Sequence, residues 1–236
     1  MAPDLRTFPD AQTAAEACGQ HILQLLQSAI TGNGGATLAI SGGSTPKLMF
    51  AAMAKAKFDW KLVHLFWVDE RAVPRDDEQS NYRHAEEHLI RPCKIRHVHR
   101  IPAELPPKQA AKHYTSDIRE HFQIADGELP HFDVVHLGIG ADAHTASLFP
   151  GEPLIADRQG IAAAVYVAKI PQWRITLLPG VLLAARNIAV LAAGEDKKQA
   201  LQAILEGPAA PVEFPAQIVV KYTRRPVFFL DQAATE

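Results

Sequence analysis

The chain is 236 residues long and 47% hydrophobic, with 24 Lys+Arg against 26 Asp+Glu and a formal net charge of -2. That length and apolar content bury a core and exclude extensive disorder, and the balanced charge argues against a nucleic-acid binder, which shows a basic excess or stripe. With two cysteines (Cys18 and Cys93), no export-type leader in the first ten residues and no apolar run near the ~20 residues of a membrane helix, the expectation is a cytoplasmic chain without membrane contact or disulfide framework.

In chain order, Asp10 is placed to cap a helix to about residue 30, with Leu23, Leu26 and Ile30 on one face; glycines in 32–35 end it. Residues 36–40 read as a buried strand. After Ser41-Gly42-Gly43-Ser44-Thr45, Pro46 stands where a first helical residue would, its missing N–H costing nothing there. That helix reaches about residue 57. A strand over 63–68, a polar loop over 69–80 and a helix to about 90 follow. Residues 107–122 predict another helix and 132–139 a strand. Residues 160–168 and 174–178 are extended, 187–192 form a strand and 196–205 a helix, and the apolar segments 218–222 and 227–230 close the chain. Apolar strands alternating with helices predict an α/β fold with a mostly parallel sheet covered by helices on both faces. With no repeat or long linker, one domain over 1–236 is expected. Ligands of such sheets sit outside the carboxyl ends of the strands, where the following segments fall.

Ser41 to Lys47 form a strand–glycine loop–helix. Glycines let backbone N–H groups approach an anion and a helix N-terminus adds favourable partial charge, which marks Gly42, Gly43, Ser44 and Thr45 as phosphate-binding candidates. The spacing is not that of a Walker A loop, and an ordinary tight turn would look the same. A nucleophile elbow at Ser41 is disfavoured, because Ala39 replaces the usual first glycine. In Trp67-Val68-Asp69-Glu70-Arg71, followed by Ser80-Asn81-Tyr82, two carboxylates and a guanidinium meet at a strand end. Arg71 offers a planar fork to phosphate or carboxylate, although a surface ion-pair turn accounts for the segment equally well.

His136 to Pro150 is the most informative stretch: an apolar strand ends in Gly138 and Gly140, and Asp142 and His144 emerge in the loop. A histidine takes a proton from water near neutral pH and a carboxylate orients its ring. The same residues match G-x-G-x-x-A, but Asp142 would put negative charge against a dinucleotide pyrophosphate, so a nicotinamide enzyme is disfavoured. Arg174 opens an extended segment, and Lys197 lies in the first turn of a helix, where a bound anion would offset its mismatch with the dipole. His84 and His88 have i,i+4 metal-compatible spacing but no third ligand, so a solvated face is the better reading and no metal is expected. His97 and His99 receive no role.

Together SGGSTPK, DER-x-VP with SNY, and G-x-G-x-D-x-HTASLFPG resemble the 6-phosphogluconolactonase family, within the wider group of glucosamine-6-phosphate deaminases, over essentially the whole chain. The resemblance implies a Rossmann-like three-layer fold and cofactor-free hydrolysis of 6-phosphogluconolactone in the oxidative pentose phosphate pathway. It implies a substrate phosphate near the SGGS loop with Arg174 and Lys197 as partners, and His144 as general base. Asp142 is then expected to orient His144, Arg71 or backbone N–H groups to meet the oxyanion, and Asp69 to hold Arg71 or contact sugar hydroxyls. A monomer acting on a small sugar phosphate is expected.

The deaminase subgroup typically continues its histidine loop with Asn-Glu-Pro, where this chain has Leu148-Phe149-Pro150 and no carboxylate. A non-catalytic sugar-phosphate binder is the other alternative. Three positions depart from the pattern: Ala143 stands where glycine is usual, Gln79 replaces an acidic residue before SNY, and Phe228-Phe229 replaces a tryptophan-containing pattern. If position 143 needs a positive φ, alanine there costs roughly 1–2 kcal/mol.

Overall fold

A computed structural model describes residues 2–222 and 226–236. The uninterrupted apolar runs become the middle of a seven-stranded sheet. Strands β2 (Ala36–Ile40), β6 (Val134–Leu137) and β9 (Ile188–Ala192) are buried along their whole length. That is the pattern of parallel strands covered on both faces. With β1 (Asp4–Phe8), β3 (Val63–Trp67), β5 (His97–His99) and β10 (Val227–Asp231), the order is β1-β10-β9-β6-β2-β3-β5, every neighbouring pair parallel. The exposed edge strand β1 has no clear apolar alternation, which is why sequence patterning does not find it. The molecule is an α/β three-layer fold, as expected.

Helix α1 (Ala11–Asn33) starts at the predicted cap. Asp10 Oδ1 accepts from Thr13 N at 2.8 Å and Thr13 Oγ1 accepts from Asp10 N at 3.3 Å, so both exposed donors are satisfied. It ends at Gly34 in the left-handed conformation (φ 79°), a turn beyond the expected residue 30. Helix α2 (Ser44–Lys55) begins two residues before Pro46, so the proline occupies the third helical position, where an N–H still has no intrahelical acceptor. Helix α3 (Asn81–Ala85) passes through a π-helical turn, Glu86–Ile90, into α4 (Arg91–Cys93). Helix α5 (Pro107–Phe122) matches its predicted bounds. Helix α6 (Pro179–Ala184) precedes β9, and a short turn, Glu195–Lys197, leads into α7 (Lys198–Leu205). The apolar segment before the described gap is helical, α8 (Gln217–Tyr222), and α9 (Gln232–Thr235) ends the chain. Among the described residues, no helix is long and apolar enough to cross a membrane.

The expected polar loop after β3 needs correction. Its first residues form β4 (Asp69–Arg71), which pairs antiparallel with β8 (Gln172–Leu177), itself paired with β7 (Ala162–Val167). Charged residues carry no strand pattern over so short a stretch, so only pairing reveals this small sheet. Val68 joins it to the main sheet, donating to Ile40 O and accepting from Leu177 N, both at 2.8 Å.

Strand order reverses between β2 and β6, since β2 leads on to β3 and β5 while β6 leads to β9, β10 and β1. The loops leaving these two neighbours diverge, and the crevice between them is the position where α/β sheets bind ligands. The β3 end that carries β4 is fixed by Tyr114 of α5. Its buried hydroxyl donates to Trp67 O at 2.6 Å and accepts from Trp67 N at 2.8 Å. Tyr114→Phe strands both groups, so urea unfolding should show a loss of about 1–3 kcal/mol; an unchanged midpoint would remove this role from the hydroxyl.

Candidate active site

The period-two alternation of a strand sorts the Asp69-Glu70-Arg71 triplet. Asp69 and Arg71 line a cleft of about 190 Å³ together with Ser41, Gly42, Asn81, Gly138, Ile139, Gly140, His144, Ala146, Arg174 and Lys197. Glu70 points the other way and is buried. Its carboxylate accepts from Arg71 N (2.8 Å), Asn81 N (2.7 Å), Tyr82 N (2.7 Å) and Ser80 Oγ (3.1 Å). Burial pushes the Glu70 carboxyl up, and the backbone donors oppose that shift. Glu70 therefore folds the SNY segment against β4, a duty that residue type alone does not distinguish from an ion pair.

Asn81, delivered by that segment, donates to Asp69 O at 2.9 Å and faces Gly42. A Cβ on Gly42 would lie 1.9 Å from Asn81 Oδ1, so only glycine allows the two loops to meet. Gly43, Ser44 and Thr45 are not among the residues lining the cleft; they form the start of α2 beside it, with Ser44 exposed. Ser41 is buried, its hydroxyl donating to His136 O at 3.1 Å and its N to His136 Nδ1 at 3.4 Å, so it ties β2 to β6.

The histidine loop is over-determined. Gly140 N donates to His144 O and Ala143 N to Gly140 O, both at 2.9 Å, and Thr145 Oγ1 donates to Gly138 O at 2.9 Å. A Cβ on Gly140 would stand 2.0 Å from His144 Nδ1, so the glycine lets the ring fold back over its own strand. Ala143 does take a positive φ (64°), and so does Ala146 (54°). Ser147 fastens the loop to the small sheet, donating through Oγ to Asp69 Oδ2 at 2.7 Å and through N to Thr176 Oγ1 at 3.2 Å.

His144 Nδ1 lies 2.5 Å from Asp142 Oδ1, and Asp142 Oδ2 accepts from Lys169 Nζ at 2.9 Å. The bond from His144 holds the Asp142 carboxyl well below the usual carboxylate range; burial opposes this and Lys169 adds to it. An ionised carboxylate only accepts, so Nδ1 carries the proton, and in the neutral imidazole the lone pair is then on Nε2. Phe149 stacks on the imidazole at 4.2 Å. Lys169 comes from the turn between β7 and β8, distant in sequence from the loop it serves, and nothing local marks it.

Across the cleft, Arg71 and Arg174 are direct cross-strand partners in the β4–β8 ladder. Arg71 donates to Gln79 O at 2.5 Å, and the buried Nε atoms of both arginines have no partner among the described residues. Desolvation, then Arg71, pull the Arg174 guanidinium below its ordinary value. Lys197 joins them from the turn before α7, with Nζ 2.7 Å from Asp196 Oδ2. Three cations with two unfilled guanidinium donors around a small polar cleft fit an anionic ligand. Among the described residues, no metal-ligand cluster forms in the cleft; only His64, His99 and His121 have that spacing, elsewhere in the fold, and His84 and His88 join no such group.

The chain is similar over its whole length to proteins of one family. The sequence model described as glucosamine-6-phosphate isomerases/6-phosphogluconolactonase matches residues 9–228. A 6-phosphogluconolactonase of Synechocystis is 34% identical, aligned over 100% of this chain and 98% of its own. The crystal structure of a 6-phosphogluconolactonase from Shewanella baltica superposes with a TM-score of 0.88 at 27% identity, covering 97% of this chain and 97% of its own. A monomeric glucosamine-6-phosphate deaminase superposes with a TM-score of 0.83 at 14% identity and shares the fold.

Asp142 also sets a pH dependence. Because its folded value is depressed, its stabilisation is fully present above the free aspartate value of about 3.9 and fades as pH falls toward the lower folded value. The stability gap between wild type and Asp142→Asn should therefore be open at pH 6 and narrow below about pH 4. Urea unfolding at several pH values checks this, and a gap that widens in acid would refute the pairing.

Proposed function

The chain belongs to the glucosamine-6-phosphate isomerase/6-phosphogluconolactonase family, and we propose that it hydrolyses 6-phospho-D-glucono-1,5-lactone to 6-phospho-D-gluconate. The observation that carries this reading is the 2.5 Å His144–Asp142 pair beside a cleft lined by Arg71, Arg174 and Lys197.

A lactone is a cyclic ester, so the reaction needs an activated water, a place for developing negative charge and a proton for the departing ring oxygen. His144 Nε2 takes a proton from water as the water oxygen bonds to C1. Asp142 holds the ring and stabilises the imidazolium that forms. The carbonyl oxygen becomes an oxyanion that meets Arg71 or loop N–H groups, a contribution of about 2.7–4 kcal/mol per donor. Collapse of the tetrahedral intermediate breaks the bond from C1 to the ring oxygen, which takes the proton back from His144 Nε2. Arg174 and Lys197 hold the phosphate, with the N-terminus of α2 (Ser44 and Thr45) beside them, and so position C1 at the histidine. Asp69 is a positioning residue, through Ser147 and Asn81.

The deaminase alternative loses support at Phe149. It occupies the place of that subgroup's glutamate and stacks on His144, supplying no carboxylate.

The test generates the lactone from glucose 6-phosphate with its dehydrogenase and follows 6-phosphogluconate with a second dehydrogenase, against spontaneous opening. Wild type should exceed background clearly, and His144→Ala should fall by roughly 10²–10⁴-fold. Ser41→Ala should keep most of its activity. No acceleration by wild type would leave a sugar-phosphate binder. In the same assay Arg174→Ala should raise KM for the phosphorylated lactone, and unphosphorylated gluconolactone should be a poor substrate. Equal kcat/KM for the two lactones would overturn the assignment of the cations.

A further inference from the structure

Histidines distant in sequence meet at a part of the fold that the cleft does not use. In the parallel β3–β5 pair His64 lies opposite His97 and Phe66 opposite His99. Strand alternation puts all four on one face, and His121 of α5 comes onto it, its ring 4.3 Å from His64 and 5.0 Å from His99. His64 Nδ1 is 3.0 Å from His99 Nε2, and the ligand atoms of His64, His99 and His121 lie within 4.8 Å of one another. Two nitrogens about 2.0–2.1 Å from a tetrahedral ion stand roughly 3.3–3.4 Å apart, so the first pair is near ligating separation. His121, half-buried in the last turn of α5, needs only a side-chain rotation to complete the set.

Two further features distinguish this cluster from packed rings. His99 Nδ1 lies 3.1 Å from both oxygens of Asp117, which fixes its tautomer and turns the Nε2 lone pair toward the other imidazoles. A carboxylate behind a histidine is the usual outer partner of a metal ligand. His64 and His121 also line a cavity of about 590 Å³ beside the amino ends of β2 and β6, which gives an ion a way in and room for a fourth ligand. Phe66, stacked on His99 at 4.2 Å, supplies an apolar floor.

We propose that His64, His99 and His121, with Asp117 behind His99, bind a divalent transition metal of the zinc class and so tie β3, β5 and α5 together. The site is separate from the hydrolytic cleft and does not rest on the lactonase reading.

The test uses the full chain stripped of metal, titrated with Zn²⁺ by calorimetry and with Co²⁺ by visible absorption. Wild type should bind one ion per chain, gain thermal stability, and show the intense bands of four-coordinate cobalt. His64→Ala and His99→Ala should lose the site, and Asp117→Asn should bind roughly 10–100-fold more weakly. His144→Ala should bind as wild type does. His121→Gln, a change at a half-buried helix end, keeps the test open if the strand variants fail to fold. Wild type without saturable binding, binding that survives in His99→Ala or His121→Gln, or binding lost in His144→Ala would each overturn the proposal.

Discussion

Two guanidinium groups face each other across one rung of an antiparallel ladder, Arg71 on β4 and Arg174 on β8. Like charges directly opposite destabilise a sheet, and Arg174 is largely buried, so the arrangement is held by what surrounds it. Asp69 and Glu70 supply the opposing charge; both are buried, and both favour the charged Arg174. Neither fills the arginine Nε positions, which have no partner among the described residues. A site that concentrates positive charge and leaves its donors open is stabilised by the anion it takes up. The cleft therefore has the electrostatics of an anion site, with guanidinium donors that the described residues leave unfilled.

The same constraint explains why the small antiparallel sheet exists. A parallel sheet alone presents only loops at its carboxyl ends. The added β4–β8–β7 sheet brings Arg174 and Lys169 over the β2–β6 crevice from a part of the chain that parallel order could not place there. Ser147 and Thr176 then lock the histidine loop to that sheet, so His144 and the cations share one frame.

Most of the central sheet was legible because buried parallel strands are continuous apolar runs, and the Asp10 cap because Ser, Thr, Asp and Asn have a mechanism at that position. His144 and Asp142 were legible as a pair because they are two residues apart in one loop. Strands β1 and β4 were not: one lies exposed at an edge and the other is three charged or polar residues whose pairing depends on a partner a hundred residues away. Glu70 is legible in the sequence only as a carboxylate, since three of its four donors, at Ser80, Asn81 and Tyr82, come from the chain bend that follows. The cluster around His64 was invisible for the same reason, being assembled from two strands and a helix.

Ala143 shows how a departure from a family pattern is absorbed. Left-handed backbone at a residue with a Cβ costs about 1–2 kcal/mol, and Ala143 and Ala146 both adopt it on either side of His144 and Thr145. Such strain persists only where the surroundings over-determine the conformation. Here Ala143 N is bonded to Gly140 O, Ala143 O accepts from Ala216 N at 2.9 Å, and the Ala143 side chain is buried in the core. A glycine at 143 would relieve the strain but give up a buried methyl, worth about 0.8 kcal/mol, and loosen the unfolded chain. The terms nearly cancel, so alanine holds the loop in the conformation that aims His144 at the cleft with little net loss of stability.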